Sequence, residues 1–572
     1  LAFSIASAGL EGKKAGEFHG KSVCSNRKAN TVYTNRKFRI GNVTGWLGMP
    51  TFQRDAEFLA VGVRFFDPMP KTVTNPIIVV PPEHRNGLVF MTLDTSRFRR
   101  PSLAALLLMG WLFAAGCAVH PVEPVGIPPE TPAAFSRTGE AVQPRWWEAF
   151  NDSNLTRLVE RALRENPGLL QAWARLDQSR ALADRAAAGF WPELNLDGQA
   201  SRSRSSLDVA GQEIVSRSNR FSLTGAASYE VDLWGRVAAG ARAADLDAEA
   251  ARADAETAAT TLAAEVADVW FQAVEQQARL DLARDQLQTN KTLLELIQTR
   301  FGYGLSSALD VYQQKQLVSA SQAEIPPIRS NLQVLRHRLA VLLGRPPGES
   351  VVDVGNRLPE PPPLPDTGVP ADLVRRRPDI RASGLRLAAA DHRVAQAVAD
   401  RFPALRLSAS GGYRAGQLAD LFSTSVWDLL AGVSAPLVDG GRRRAEVRRV
   451  EAVVRERTAD YLETALTAFR EVEDALVRES FQREFITRLE EQIANARQEL
   501  EQARLQYENG IRDYLNVLTA LRNVQSLERQ WVGARRLLLT RRIELYRALG
   551  GAWTGTLTPP EAAAARGDAQ NS

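Results

Sequence analysis

The chain has 572 residues, 44% apolar and 24% charged, ordinary values for a folded protein that exclude collagen-like, mucin-like and wholly disordered classes. Two cysteines and five scattered histidines supply neither a disulfide framework nor a Cys/His metal module. The formal charge of +5 suggests a polyanion binder only until it is divided by segment. Residues 1–90 carry 12 Lys+Arg against 6 Asp+Glu, residues 91–116 carry 3 against 1, and the remainder carries 56 against 59, so the body lacks the basic excess that nucleic-acid binding requires.

Residues 1–90 differ in character from the rest of the chain. They hold six of the eight lysines, Lys291 and Lys315 being the other two, and show no helical or alternating period. Met91 then opens a second beginning: Arg97, Arg99 and Arg100, an apolar run from Leu103 to Ala115, and Gly116-Cys117. This is the layout of a secretory signal, too short for a permanent span of about 20 residues. Phe113-Ala114-Ala115-Gly116-Cys117 resembles the lipobox of bacterial lipoproteins, which implies diacylglyceryl and N-acyl groups on Cys117 after cleavage. Residue 118 is Ala rather than Asp, so an inner-membrane retention signal is missing. We therefore expect a spurious or unstructured extension at 1–90, a signal at 91–116 and a lipid-anchored segment at 117–152.

From there the chain follows one plan twice. A first helix, Leu155 to Ala188, has an early proline at Pro167. A hairpin over 192–234 comes next, in which Phe221, Leu223, Gly225, Ala227, Tyr229, Val231 and Leu233 alternate with polar residues, while Leu194 and Leu196 precede a Ser/Arg-rich loop. Gly235 to Arg300 is rich in Ala, Leu, Glu, Gln and Arg and free of proline, which predicts a single helix of about 98 Å with a packed seam through Leu280, Leu282, Leu287, Leu293 and Leu294. A turn at Phe301-Gly302-Tyr303-Gly304 reverses the chain into a returning helix, which Pro326-Pro327 should break or kink. A Pro-rich linker over 351–370 leads to the second copy, 371–552, with its hairpin at 403–438 and a flexible tail at 553–572. Asn166-Pro167 answers to Arg377-Pro378 and Trp191-Pro192 to Phe402-Pro403 at an offset of 211; Gly235-Arg236 answers to Gly441-Arg442, Gly304 to Gly510 and Leu343-Gly344 to Leu549-Gly550 at 206.

Strands of about 10 to 13 residues fit a tilted crossing of a bilayer, but four strands cannot close a barrel, and an open sheet edge is not tolerated in lipid. The chain must pool strands with other copies or keep its sheet in water, and the alternation alone favours neither.

Trp146-Trp147, Asp232-Leu233-Trp234-Gly235-Arg236, the run Arg300 to Gly304 with Leu309-Asp310-Val311, Arg376-Arg377-Pro378-Asp379 and Leu549-Gly550 together resemble the TolC-like outer membrane efflux proteins, in particular the NodT-type lipoprotein branch. The resemblance covers roughly 145–552. It implies a mixed membrane fold: long α-helical hairpins forming a periplasmic α-barrel, and four transmembrane β-strands per chain completing a 12-stranded barrel in a homotrimer. It further implies an exit duct in the outer membrane for an inner-membrane RND (proton-driven) pump and a periplasmic adaptor, with no catalytic residues, cofactor or metal. The two interhelical turns would be the docking tips, Gly304, Leu305, Ser306 and Ser307 with Gly510, Ile511, Arg512 and Asp513. Relatives often carry acidic rings just after the second turn. The matching positions here are Asn516 and Thr519, with Asp310 at the equivalent of Asn516 in the first copy and Asp513 nearby, which puts a cation-selective entrance in question. Two other functions fit part of the pattern: a channel for type I protein secretion, and a lipid-anchored periplasmic coiled-coil scaffold without a pore. No Walker loop or GxSxG is present, and Asp391-His392 matches ordinary surface structure rather than a catalytic pair.

Overall fold

The computed structural model describes residues 120–121, 125–126, 131–139, 145–209, 212–348 and 353–559. The signal, Cys117 and the last 13 residues lie outside them. The first copy comprises α1 (Ser153–Glu165), α2 (Pro167–Ala187), β1 (Glu193–Val209), β2 (Gln212–Val231), α3 (Arg236–Gly302) and α4 (Ala308–Leu342). The second comprises α5 (Pro370–Arg376), α6 (Pro378–Ala399), β3 (Ala404–Ala415), β4 (Ser425–Ser434), α7 (Arg442–Glu508) and α8 (Tyr514–Leu549).

The early prolines divide the leading helix rather than sit within it. Asn166 and Arg377 adopt extended backbone, and Pro167 and Pro378 start α2 and α6 at the position where a missing N–H costs nothing. Asn166 caps α2 through Leu169 N at 3.0 Å and donates to Leu342 O at 2.8 Å, joining the two ends of the first copy. The expected break at Pro326-Pro327 does not occur, because α4 runs through both. Gln322 and Ala323, whose carbonyls lose their amide partners, are exposed, so water can satisfy them.

Helices α3 and α7 have 67 residues each, about 100 Å at 1.5 Å per residue. Both start after a glycine in the left-handed region, Gly235 at φ +72° and Gly441 at φ +85°, where a side chain would be strained. Helix α3 packs along α2, α4, α6 and α8, whereas α7 packs along α6 and α8. The flank of α7 that the duplication would place against another α2 and α4 is bare. It exposes Leu462, Leu466, Val477, Phe481 and Phe485, three of them four residues apart.

The core lies where the copies meet. Trp146 stacks on Tyr546 at 5.3 Å, Trp147 meets Trp553 edge-on at 4.9 Å, and Phe150 tilts against Phe271 at 5.2 Å. Because Trp553 is buried there, the tail expected from 553 is docked at its start. The linker is docked as well. Arg542, with no exposed surface, bonds Glu479 at 2.9 and 2.5 Å and also donates to the carbonyls of Pro362 and Pro363.

The four strands form one antiparallel sheet in the order β1-β2-β3-β4, with β1 and β4 as open edges. Strands β1 and β2 have 17 and 20 residues, longer than expected, because the Ser/Arg-rich segment read as a loop continues the ladder from Ser201↔Arg220 to Val209↔Gln212. Register puts the apolar residues on one face. Leu194, Ala227, Ala409 and Leu429 form one row, and Leu196, Gly225, Gly411 and Trp427 the next. The opposite face carries Glu193, Ser228, Ser408 and Leu430 in one row and Asn195, Ala226, Ser410 and Asp428 in another.

Candidate functional site: the helix tips and the four-stranded sheet

The two interhelical turns are built alike. At the end of α3 the Leu305 N–H bonds Arg300 O at 2.9 Å and Gly304 N–H bonds Phe301 O at 2.9 Å; at the end of α7 the Ile511 N–H bonds Gln506 O at 2.8 Å and Gly510 N–H bonds Tyr507 O at 3.0 Å. This is the Schellman arrangement, and it requires the positive φ of Gly304 (+72°) and Gly510 (+70°). The motif ordinarily packs its next apolar residue back on the helix, yet Leu305 and Ile511 are 63% and 70% exposed. With Tyr303, Leu309, Tyr312 and Leu515 they leave an apolar rim at the tips of the hairpins, a surface suited to a protein partner.

The polar tip residues divide by what they bond. Ser307 caps α4, its Oγ accepting from Asp310 N at 3.1 Å, while the Asp310 carboxylate accepts from Ser307 N and Ser306 Oγ, both at 2.9 Å. The charge of Asp310 is thus held inside its turn. Asp513 caps α8 by position only, and its exposed carboxylate has no hydrogen bond or ion pair among the described residues. Asn516 and Thr519 are exposed one turn apart and bond back to Asp513 O at 3.3 Å and Leu515 O at 2.8 Å. Arg512 is also exposed. The structure therefore brings Ser306, Ser307 and Asp310 into one cluster and leaves Arg512, Asp513, Asn516 and Thr519 facing outward on the other tip.

The tips are joined by residues that sequence reasoning missed. Tyr507 donates to Ser306 Oγ at 3.3 Å, lies beneath the Arg300 guanidinium at 4.9 Å and meets Tyr514 edge-on at 5.4 Å. Tyr514 donates to Gln314 Oε1 at 2.5 Å, and burial first, then the neighbouring Tyr507, pushes its phenol well above the usual range. From Gln314 a buried polar seam continues: Gln314 Nε2 to Asn290 O at 2.7 Å, Asn290 Nδ2 to Ser321 Oγ at 2.8 Å, and Gln525 Nε2 to Asn290 Oδ1 at 2.9 Å. It ties α3, α4 and α8 together. A signal existed in the duplication, since Asn290, Gln314 and Ser321 stand where the second copy has Ala496, Ala520 and Leu527.

At the other end of the helices, the apolar face of the sheet is widest from Phe221 to Val231 on β2 and from Leu405 to Ala415 on β3. Eleven residues at about 3.3 Å, tilted near 40°, span about 28 Å, close to the height of a lipid-facing band. The β1–β2 extension beyond it is polar on both faces through Arg202, Ser203, Arg217 and Ser218. Exposed Phe190 and Trp191 lie at one margin of the band and exposed Tyr413 and Phe422 toward the other, as aromatic girdles do.

Among the described residues no helix is long and apolar enough to cross a membrane, and no group of His, Cys, Asp and Glu is placed to hold a metal ion. Asp391, the sequence's one tempting acid–histidine neighbour, bonds His120 at 2.9 Å. Cys117 lies outside the described residues.

The family model described as outer membrane efflux protein matches residues 158–345 and 369–551, one match for each copy. The pyoverdine export outer membrane protein OpmQ of Pseudomonas putida is 32% identical over 453 residues, 76% of this chain and 95% of that protein. Nodulation protein T of Rhizobium leguminosarum bv. trifolii is 29% identical over 427 residues, 72% and 90% of the two chains. The solved structure of the outer-membrane channel OprN superposes with a TM-score of 0.71 at 31% identity, covering 77% of this chain and all of that one.

Proposed function

The chain belongs to the outer membrane efflux protein family, and on that basis we propose that it is the exit duct of a tripartite efflux system, passively conducting small molecules from an inner-membrane RND pump and a periplasmic adaptor to the exterior. The observation that carries this reading is a four-stranded sheet with one continuous apolar face and two open edges, joined by short connections to 67-residue helices. Such a sheet cannot remain open in lipid.

Both incomplete flanks point to the same remedy. β1, α2 and α4 border one side and β4 and α7 the other, so a head-to-tail ring of copies would pair β4 with β1 and cover the exposed apolar stripe of α7 in a single operation. Three copies give twelve strands, a closed barrel wide enough for small solutes. The protein lies in the outer membrane as its family does, with the helical tips away from it. The exposed rim of Leu305, Ile511, Tyr303 and Leu515 supports adaptor docking there.

Acylation of Cys117 fits the course of the N-terminal strap. His120 bonds Asp391, Tyr461 Oη donates to Gly126 O at 3.1 Å, and Ser136 bonds Glu473 at 2.8 and 2.5 Å, so the described strap residues touch α6 and α7, with His120 nearest the sheet. Asp391 is eight residues, about 12 Å, from the sheet end of α6. His120, three residues after Cys117, is thus near the sheet end of α6, the end at which a lipid on Cys117 would meet the membrane that the sheet crosses.

The deciding experiment reconstitutes the purified full chain into planar bilayers and determines its assembly mass. Stepwise conductance from a three-chain assembly is the expected result; a monomer without conductance refutes the duct and favours a pore-free scaffold.

A further inference from the structure

Where β4 leads into α7, the chain passes from Leu437 and Val438, 91% and 94% exposed, through Gly440 and Gly441 into three consecutive arginines. Arg442, Arg444 and Arg448 of α7 and Arg401 from the α6–β3 turn border an open concavity of about 640 Å³. None of these four guanidinium groups has a hydrogen bond or ion pair among the described residues. The three nearby carboxylates are engaged elsewhere: Asp439 accepts from Gly441 N at 3.0 Å and from Arg443 N and Nη1, both at 3.2 Å, Glu446 pairs with Arg449 at 2.9 and 2.8 Å, and Asp400, beside Arg401, pairs with Arg236 at 3.7 Å.

The first copy shows that the fold does not demand this arrangement. Arg236, the counterpart of Arg442, is neutralised by Glu230 at 2.7 Å and Asp400 at 3.7 Å. The positions matching those two acids are Pro436 and Gly189, and the positions matching Arg444 and Arg401 are Ala238 and Phe190. The second copy thus carries two cations that the first lacks, Arg444 and Arg401, and Pro436 where the first has Glu230, while Asp400 serves Arg236 of the first copy. Cations at a helix N-terminus also oppose the helix dipole, so the cluster is unfavourable until an anion meets it.

We infer that this junction binds the headgroup of an anionic phospholipid from the membrane leaflet nearest the helices. Its phosphate oxygens accept from Arg442, Arg444, Arg448 and Arg401, and its acyl chains lie along Leu437, Val438 and the apolar face of β3 and β4. A basic pocket directly continuous with a lipid-facing apolar surface matches such an amphiphile better than a free anion. The inference rests on the membrane-spanning reading of the sheet.

The test uses the delipidated full chain in detergent and native mass spectrometry of retained phosphatidylglycerol against phosphatidylcholine. On the order of a tenfold preference for phosphatidylglycerol is expected. It should fall to parity in the combined variant Arg401→Gln, Arg442→Gln, Arg444→Gln, Arg448→Gln and persist in Arg236→Gln. No preference in the unaltered chain, or a preference that survives the fourfold variant, overturns the inference. So does full displacement of the lipid by inorganic phosphate, which would mark a free-phosphate site. Should the fourfold variant fail to assemble, the comparison of the two lipids and phosphate on the unaltered chain decides alone. Conductance of the same preparations separates the two readings: a conducting protein without lipid preference overturns this inference only, whereas a lipid-selective protein without conductance overturns the duct.

Discussion

Leu429 and Leu430 are neighbours on β4 with nearly equal exposure in the single chain, 74% and 66%. Burial alone therefore predicts equal tolerance of Leu429→Arg and Leu430→Arg. Register predicts otherwise. Leu429 lies in the row Leu194–Ala227–Ala409, near the middle of the apolar band, whereas Leu430 lies in the row Glu193–Ser228–Ser408 on the polar face. An arginine facing lipid near the midplane costs about 2–4 kcal/mol, about 30- to 1,000-fold in a folding equilibrium, while one facing an aqueous lumen costs little. Unfolding of the purified variants from phosphatidylcholine vesicles by guanidinium, monitored by tryptophan fluorescence, gives the comparison, with conductance as the second readout. Leu429→Arg should be destabilised by that amount per chain and Leu430→Arg should remain stable with altered conductance. Equal stability of the two variants refutes the assignment of the faces.

Asp513→Asn should lower cation over anion permeability without loss of stability, whereas Asp310→Ala, which removes a capping partner, should cost about 1 kcal/mol in thermal unfolding; unchanged reversal potential in Asp513→Asn counts against an acidic entrance. Arg542→Ala leaves Glu479 buried with only Arg483 at 3.1 Å and should destabilise by about 3–5 kcal/mol, while Arg542→Met combined with Glu479→Leu should recover most of that loss in guanidinium titration. His392 is held below the usual histidine range by burial first and then by Arg242, so the unfolded chain binds more protons than the folded one at mildly acid pH. Its contribution to stability should be present above about pH 6.5 and decline as pH falls through the depressed value; His392→Asn should flatten that part of a melting curve series, and an unchanged slope would show that His392 does not contribute.

Much of the plan was legible in the residues. The absence of proline from Gly235 to Arg300 and from Arg442 to Gln506 dictates long helices, and Gly304 and Gly510 mark where they turn, because these are local backbone preferences. The duplication and the alternation of Phe221 to Leu233 likewise depend only on residues close in the chain. The errors share a cause. Ser201–Val209 lacks an apolar face, so nothing local marks it as strand; it is held there by pairing with residues 212–220. Pro326-Pro327 stays helical because the carbonyls it deprives face solvent, which depends on what α4 packs against.

Residue order alone thus dictates two copies of one helix–hairpin–helix unit, a sheet with one apolar face and the family to which the chain belongs. Which charges are satisfied is settled by packing. Glu479 and Arg542 are 63 residues apart, Asn290 and Gln525 are 235 apart, and Arg236 finds Asp400 where Arg442 finds no acid among the described residues. Composition counts these groups as equivalent. Only the approach of distant helices fixes whether a buried polar group meets a partner inside the chain or leaves a charge for a neighbour or a ligand to meet.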